Sequence, residues 1–239
     1  MPSCIKRLDL GGRDVTDELL KRLMERGALS SMNNNDNKSF KNMNHYYQCH
    51  DQVKKIKEKE CSIMKETPRM RSHQCDDMMS SSTFNRFKSS SSFKQYVLPE
   101  GGVLQLCERD LQECGVIMFR PERFLQIGTS ADNLTGLGDL IVEAVNDAAV
   151  DCRKDLFGNL VLSGGNTLMP NMTDRVSMEV IERVPATIRI KVVAPPERLH
   201  SAWIGGSILT SLSTFQPQWI TRGEYHEVGP SVVFRKTLV

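Results

Sequence analysis

Residues 159–170 read NLVLSGGNTLMP, and the interpretation of the whole chain starts from this stretch. The apolar run at 160–162 is short and bounded by turn residues, which predicts a buried strand. Gly164 and Gly165 follow, and glycine allows unusual backbone angles and close approach of a ligand or another backbone. The polar residues after them can cap a helix whose free N–H groups attract an anion. This order is typical of a nucleotide-binding edge, although a Gly-Gly pair alone more often marks a plain turn.

The composition indicates a globular chain with a substantial core. It has 239 residues, of which 39% are hydrophobic and 25% charged, with a net charge of +2. These totals suit one or two domains, and the nearly neutral charge gives no reason to expect a nucleic-acid partner. No apolar run could span a bilayer and no secretory signal opens the chain, so we expect no membrane partner. The seven cysteines are irregularly spaced, which is typical of reduced thiols inside a cell.

The first fifty residues predict a strand, a helix and a loop. Residues 5–10 alternate as a strand does. Asp14 suits the N-cap of a helix over 15–26, which Gly27 should end at its C′ position. The Ser/Asn/Asp-rich run at 28–48 cannot offset its ordering entropy by burial, so we expect a loop insertion there.

The remaining chain alternates between strand and helix patterns, apart from a serine-rich polar segment at 66–92 that predicts flexible polypeptide. This alternation indicates an α/β fold, with one hairpin around the Pro/Gly turn at 99–102. The predicted helices span 51–64, 133–152, 172–184 and 202–212, and the predicted strands span 96–98, 103–106, 160–162, 187–194 and 231–234.

Further motifs surround the glycine turn in a fixed order. They read RLDLGGRDVTD at 7–17, IKEK at 56–59, YVLPEG at 96–101, RKDL at 153–156, APPER at 194–198, WIGGSIL at 203–209 and LSTF at 212–215. This order closely resembles the C-terminal part of actin and the actin-related proteins. The resemblance is nearly continuous from residue 151 to residue 236 and thin between residues 28 and 88.

The resemblance implies the C-terminal half of the actin-like fold, which is the ribonuclease H-like and Hsp70-type ATPase fold, here with loop insertions. Residues 1–27 and 103–200 would form a lower lobe like subdomain 3. Residues 28–102 would form an insertion-rich upper lobe like subdomain 4, and residues 201–239 a tail like part of subdomain 1.

The same resemblance bears on catalysis. The family's two phosphate-binding hairpins belong to an N-terminal half, and neither Asp-Asn-Gly-Ser-Gly nor Asp-Ser-Gly-Asp-Gly occurs in this chain. Hydrolysis needs Mg²⁺ and a positioned water, so we expect no ATPase activity, no catalytic residue and no metal ligand. A metal site can be drawn through five Cys and His residues, but their spacing matches no short motif. They are His45, Cys49, His50, His73 and Cys75.

The resemblance also implies an adenosine site. In the family a lysine and a glutamate meet the ribose and base, glycines let the backbone approach, and an aromatic residue and a second lysine close around the adenine. The matching positions here are Lys57, Glu58, Gly164, Gly165, Leu168 and Met169. Met169 replaces the aromatic residue and Leu199 the second lysine, at a cost on the order of 1–2 kcal/mol each. ATP or ADP binding is therefore expected to be weak or lost. Lys57 and Glu58 could equally be an ordinary exposed pair on a helix.

A partner-binding cleft is the second implied site. Five positions match the hydrophobic cleft in which actin-binding proteins insert an amphipathic helix, although core residues show the same spacing. They are Ile204, Ile208, Leu209, Leu212 and Thr214. Gln218 replaces an apolar residue of one wall. The loop at 119–133, which corresponds to the family's filament plug, is polar here, so we expect no filament assembly through it.

Three functions are compatible with this sequence. The first is a non-catalytic interaction subunit of a cytoskeletal or actin-related assembly, because an unpaired strand at 5–10 would expose a sheet edge that needs a protein partner. The second is an ATP-binding, polymerising actin-like protein whose N-terminal half is missing from this sequence. The third is an actin-related subunit of a nuclear chromatin-remodelling complex. The first two imply the cytoplasm and cytoskeleton, the third the nucleus.

Overall fold

The described part of the computed structural model, residues 2–29, 43–64, 92–99, 101–123 and 135–237, is mainly helical. The helices are α1 (Gly12–Glu25), α2 (Met43–Glu60), α3 (Glu108–Glu113), α4 (Leu137–Asn146), α5 (Val150–Phe157), α6 (Met172–Ile181), α7 (Ser201–Ser211), α8 (Arg222–Val228) and α9 (Ser231–Thr237). The strands are β1 (Phe93–Val97), β2 (Val103–Cys107), β3 (Leu160–Val161) and β4 (Val192–Val193). Short 3-10 helices cover Pro2–Cys4, Cys114–Met118, Pro121–Arg123, Gly165–Leu168 and Ser213–Gln218.

Helix α1 confirms the predicted helix but begins three residues before the predicted start. Gly11, not Asp14, is the N-cap, so the prediction for Asp14 is wrong. Asp14 instead lies one turn inside the helix, where its carboxylate accepts a hydrogen bond from the Gly11 backbone N–H at 2.7 Å. Gly27 has a φ of 68°, which confirms it as the left-handed residue after the helix end.

The predicted strand at 5–10 is wrong. The alternation is real, since exposed residues alternate with half-buried ones, but this backbone forms no ladder with any described segment. The segment lies beside α4 instead, where Lys6 Nζ contacts Glu143 at 2.6 Å and Asp147 at 2.7 Å. Ile5, which the pattern would place in a core, is largely exposed. A period of two therefore describes an extended chain here and not a paired strand.

Helices α1 and α2 pack against each other and form the centre of the core. Helix α2 starts at Met43, within the predicted loop, and ends at Glu60, four residues before the predicted end. The rest of that predicted loop, residues 30–42, and nearly all of the serine-rich segment lie outside the described residues. The fully buried side chains that these two helices share with the β1–β2 hairpin include Val15, Leu19, Val53, Ile56, Leu104 and Leu106.

The hairpin prediction is confirmed. Strands β1 and β2 pair antiparallel, with Phe93 opposite Cys107 and Val97 opposite Val103. Gly101 has a φ of 87° in the turn, a backbone conformation that favours glycine. Leu104 and Leu106 of β2 are buried against the core, whereas Val103 and Gln105 on the other face are exposed.

The single helix predicted over 133–152 is two helices. Helix α4 ends at Asn146 and α5 starts at Val150, because the backbone of Ala149 leaves the helical region with a ψ of 137°. The carbonyl of Ala148, freed by this break, accepts a hydrogen bond from Arg153 Nε at 3.0 Å. Helix α6, in contrast, confirms the helix predicted from residue 172.

The strand that precedes the glycine turn is short and only partly covered. β3 pairs in parallel with β4, with Leu160 opposite Val192 and Val161 opposite Val193. Because α6 lies between them in sequence and packs on β4, the three elements form a β-α-β unit, as expected for an α/β chain. The predicted burial of this strand is wrong: Leu160 is half-buried and Val161 is exposed.

Two further strand predictions need correction. Of the strand predicted over 187–194, only β4 is paired. The strand predicted over 231–234 is helix α9, which packs against α8. Its first hydrogen bonds run from Val232 N–H to the Gly229 carbonyl and from Val233 N–H to the Pro230 carbonyl. No described strand lies alongside it, so local hydrogen bonds determine its conformation.

A buried ionic cluster on α6 joins distant parts of the chain. Glu179 is fully buried and accepts hydrogen bonds from Arg175 at 2.9 Å, from Arg183 at 2.6 Å and from Arg120 at 3.2 Å. Arg175 also donates to the carbonyl of Met64 at 2.9 Å. Burial disfavours the charged form of Glu179, but the arginines outweigh it and lower the pKa of this carboxyl.

We expect Glu179→Gln to lower the free energy of unfolding by about 3 kcal/mol, because it leaves buried guanidinium charge without its carboxylate. Urea unfolding measures this change. Glu227→Gln, at an exposed position of α8, is the matched control and should change the stability by less than about 0.5 kcal/mol. Equal effects of the two substitutions would contradict the stabilising role of the cluster.

The cluster also predicts a pH dependence. Since the pKa of Glu179 is lower in the folded than in the unfolded chain, its contribution is complete above the unfolded pKa, about 4.3, and is lost as the pH falls through the folded value. The stability difference between wild type and Glu179→Gln should therefore shrink below about pH 4. A difference that stays constant down to pH 2 would contradict the assignment of the shift to Glu179.

Candidate functional site

Lys57 lies at the contact between the first two helices. Its side chain is only 8% exposed, and its Nζ donates a hydrogen bond to the carbonyl oxygen of Gly12 at 2.7 Å. Burial lowers the pKa of Lys57, while the neighbouring Glu58 partly opposes that shift. The ammonium group of Lys57 therefore joins α2 to the start of α1.

Glu58 does not share this environment. It is exposed, and consecutive residues of a helix point in directions about 100° apart. The structure thus places Lys57 in a buried position and Glu58 in an exposed one, although the Glu58 carboxylate still lies close enough to oppose, in part, the lowering of the pKa of Lys57 by burial. Lys57 is buried, so the two are also not an ordinary exposed pair.

Gly12 is a site residue that the sequence reasoning missed. A Cβ at this position would lie 2.5 Å from Oδ1 of Asn166 and 3.2 Å from Nζ of Lys57. The start of α1, the end of α2 and the turn at Gly165–Leu168 therefore meet at this glycine. The Gly-Gly pair directly after the alternating run at 5–10 was the available signal, since it repeats the arrangement of the second glycine turn.

The second glycine turn has the open backbone that the sequence predicted. Gly164 has a φ of 91°, and a Cβ there would meet nothing within 4 Å. Its N–H donates to the carbonyl of Arg198 at 2.8 Å, and its own carbonyl accepts from Oγ1 of Thr167 at 2.7 Å. A Cβ on Gly165 would lie 3.2 Å from Cδ1 of Leu199. The turn is fixed by the protein's own hydrogen bonds and has an apolar neighbour.

Met169 and Leu199, the two positions that differ from the actin pattern at the adenosine site, lie in different environments. Met169 is 8% exposed and belongs to the core, while Leu199, like Leu168, is exposed. Arg198, next to Leu199, donates to the carbonyls of Thr167 at 3.1 Å and Pro195 at 2.9 Å. Lys57 and Arg198 are thus both hydrogen-bonded to protein carbonyls at this site.

No metal site emerges from the described residues. Nowhere in them do three His, Cys, Asp or Glu side chains converge as ligands would. Of the five residues drawn together in the sequence, Cys49 is buried and His50 contacts Asp17 at 3.3 Å. His73, Cys75 and the side chain of His45 lie outside the described part.

The predicted partner cleft lies on α7 and the turn after it. Ile204 is half-buried, and the other four cleft positions (Ile208, Leu209, Leu212 and Thr214) are exposed, as is Gln218. Trp203, which the sequence reasoning did not assign to this site, is 75% exposed. Among the described side chains of residues 201–236, Val232 alone is fully buried. These positions form an open apolar surface and not a closed groove. Most of the predicted plug loop, residues 124–133, lies outside the described residues.

Polar contacts hold the end of the chain together. Glu224 and Thr221 form a capping box at the start of α8. Lys236 donates to Glu224 at 2.9 Å and to the Trp219 carbonyl at 2.5 Å. The hydrogen bond from Lys236 lowers the pKa of Glu224 to about 2. Residues 219–236 are therefore ordered by hydrogen bonds and charge, with little apolar burial.

A β-α-β unit with an open glycine turn after its first strand is the arrangement of α/β nucleotide-binding proteins. A family model described as Actin matches residues 1–238, so this chain belongs to the actin family. The match implies the actin-like ATPase fold, and members of the family generally bind ATP or ADP and other proteins. They are typically cytoskeletal or nuclear. In the described part of this chain, the helices are too short or too polar to cross a membrane.

We expect Gly12→Ala to destabilise the protein by about 1–3 kcal/mol, because the new methyl group would overlap Asn166 and displace Lys57. Gly205→Ala in α7 is the matched control. A Cβ there meets nothing within 4 Å, so this change should stabilise the chain by about 0.5–1 kcal/mol. Urea midpoints of the two variants should move in opposite directions, and a stable Gly12→Ala variant would show that the contact at Gly12 is unimportant.

Proposed function

We propose that this chain is a non-catalytic interaction subunit of an actin-type assembly, which binds an actin-type subunit through residues 201–237. The observation that carries this proposal is the exposed apolar surface of that segment. Trp203 and Ile208 are 75% and 58% exposed, and Leu209 and Leu212 of the same segment are also exposed. Contiguous apolar surface of this kind on a soluble chain commonly marks a protein interface.

The composition of the surface defines the chemistry of the partner. Residues 201–221 include no Asp, Glu, Lys or Arg, and the large apolar side chains of α7 are not confined to one face. A helix that is hydrophobic on all sides is normally enclosed by protein. The surface is open and not a groove, so it fits a broad apolar face of a folded subunit better than a single inserted peptide helix.

The arrangement around the glycine turn supports weak or lost nucleotide binding. Lys57 and Arg198 donate to protein carbonyls, so a nucleotide would have to displace those hydrogen bonds. Met169 packs in the core, where it offers no stacking surface to a base. Leu199 presents an apolar side chain where the family has a cation.

We propose likewise that the chain does not hydrolyse ATP, and that it acts in the cytoskeleton. Hydrolysis requires a metal ion and a positioned water. The groups that contact Gly164 and Gly165 here include the Arg198 carbonyl, the Thr167 hydroxyl and the Leu199 side chain, and none of these three is a carboxylate that could hold a metal ion.

Binding to purified monomeric actin tests the interaction proposal. We expect Ile208→Asp to weaken the association at least about tenfold, because it places a charge in an apolar interface. Val150→Asp, at an exposed apolar position of α5, is the matched control and should bind like wild type. Sedimentation velocity measures the affinity.

Both tryptophans of the chain, Trp203 and Trp219, lie in the segment, so fluorine NMR of fluorotryptophan-labelled chain reports this surface with two signals.

Equal binding by the two variants, or no shift of either tryptophan signal on saturation, would contradict the assigned surface. A chain that stays monomeric and unbound at high actin concentration would contradict the interaction proposal itself. Assembly into filaments that depends on ATP would favour the polymerising alternative.

Calorimetry with ATP and Mg²⁺ tests the nucleotide proposal. We expect at most weak, unsaturated binding of nucleotide by the wild type. Leu199→Lys should bind about five- to tenfold more tightly, since the new cation restores a charged contact. Leu156→Lys, an exposed position of α5, adds the same charge elsewhere and should leave the affinity unchanged. Saturable micromolar binding by the wild type would contradict weak or lost nucleotide binding.

A further inference from the structure

Two buried thiols lie in contact beneath the α1–α2 core. Cys61 follows the last residue of α2, and Cys114 begins the 3-10 helix Cys114–Met118. Their exposed fractions are 3% and 0%, neither is in a disulfide, and their sulfur atoms are 3.5 Å apart. Fifty-three positions separate them in sequence, so the fold, and not chain proximity, brings them together.

We propose that Cys61 and Cys114 are a reversible redox site, which forms an intrachain disulfide by exchange with a small disulfide such as oxidised glutathione. A disulfide requires the sulfurs to be about 2.05 Å apart, so they must approach by about 1.5 Å. Rotation of the two side chains can supply a movement of that size without displacement of a helix.

Main-chain contacts hold the two cysteine segments together. The N–H of Ser62, directly after Cys61, donates to the carbonyl of Leu111 at 3.2 Å. The thiol of Cys114 donates to that same carbonyl at 3.5 Å as well as to the sulfur of Cys61. The backbone hydrogen bond between Ser62 and Leu111 therefore positions the pair. It lies one residue after Cys61 and three residues before Cys114.

Gly115 packs against the segment that carries Cys61. A Cβ at this position would lie 2.4 Å from Cδ1 of Ile63, a distance that no real side chain could keep. The peptide unit at Gly115, directly after Cys114, therefore packs on the Ile63 side chain, two residues after Cys61. This close packing favours a crosslink between these two cysteines over one with another thiol.

The exchange balances in two steps. The thiolate of one cysteine attacks oxidised glutathione, forms a mixed disulfide and releases one glutathione thiolate, which takes the cysteine's proton. The second cysteine thiolate attacks the protein sulfur of the mixed disulfide and releases the second glutathione, which takes the second proton. Two electrons pass from the cysteines to glutathione.

The chemistry also predicts the rate. The adjacent Cys114 sulfur, with which a protonated Cys61 can share its hydrogen, and burial both raise the pKa of Cys61, and only a thiolate attacks a disulfide. Exchange should therefore be slow at neutral pH, faster at alkaline pH, and dependent on local opening that admits glutathione.

The experiment equilibrates the full chain in glutathione buffers of increasing potential, alkylates the remaining thiols and maps the peptides by mass spectrometry. We expect two of the seven thiols to be lost and one crosslinked peptide joining Cys61 to Cys114. Because the bond closes a long loop, the oxidised chain should show a Tm higher by roughly 8–16 °C. Addition of dithiothreitol should reverse both changes.

Cys114→Ala should lose both the crosslink and the Tm rise, whereas Cys107→Ala, another buried cysteine, should keep both. If Cys114→Ala fails to fold, the peptide map of the oxidised wild type tests the crosslink by itself. The proposal is overturned if no Cys61–Cys114 peptide forms in the most oxidising buffer, if Cys61 pairs with a different cysteine, or if oxidation lowers the Tm. The readout is covalent and needs neither actin nor nucleotide, so its outcome is independent of the proposed function.

Discussion

The buried carboxylate of Glu179 is the interaction on which the arrangement of the described fold depends. It holds three arginines, and through them it connects α6 to the backbone at Met64 and to the segment around Phe119, whose ring lies 5.0 Å from the Arg175 guanidinium. Helix α4 reaches the same point, because a Cβ on Gly138 would lie 2.8 Å from that of Glu179. A buried ion pair of this kind adds little stability relative to apolar residues of the same volume, but removal of one partner leaves the other charge buried and unpaired.

The chain divides into a part with its own core and a part without one. Helices α1 and α2, the hairpin and α6 share fully buried apolar side chains. The described residues after 200 are instead connected by caps, local hydrogen bonds and one ion pair, while large apolar side chains stay in solvent. The hydrophobic effect favours burial of that surface against another protein. This difference between a buried core and an exposed apolar segment is the physical basis for proposing an interaction subunit.

Periodicity predicted the elements whose stabilising contacts are local or lie on one face. The apolar stripe of α1, the Pro/Gly turn of the hairpin and the pattern of α6 were read correctly. The strands expected at 5–10 and 231–234 failed for a common reason. A strand needs a neighbouring backbone, and no local pattern shows whether the fold supplies one.

At the candidate site, too, some features depend on local sequence and others on contacts between distant segments. The sequence by itself determined the family, the open backbone at Gly164 and the replacement of a cation by Leu199, because these depend on residue identity and local conformation. Only the tertiary structure decided that Lys57 is buried and binds the Gly12 carbonyl, and that Cys61 meets Cys114. Each of these depends on which distant segments come together, and that is determined by packing over the whole chain rather than by the order of residues in any one stretch.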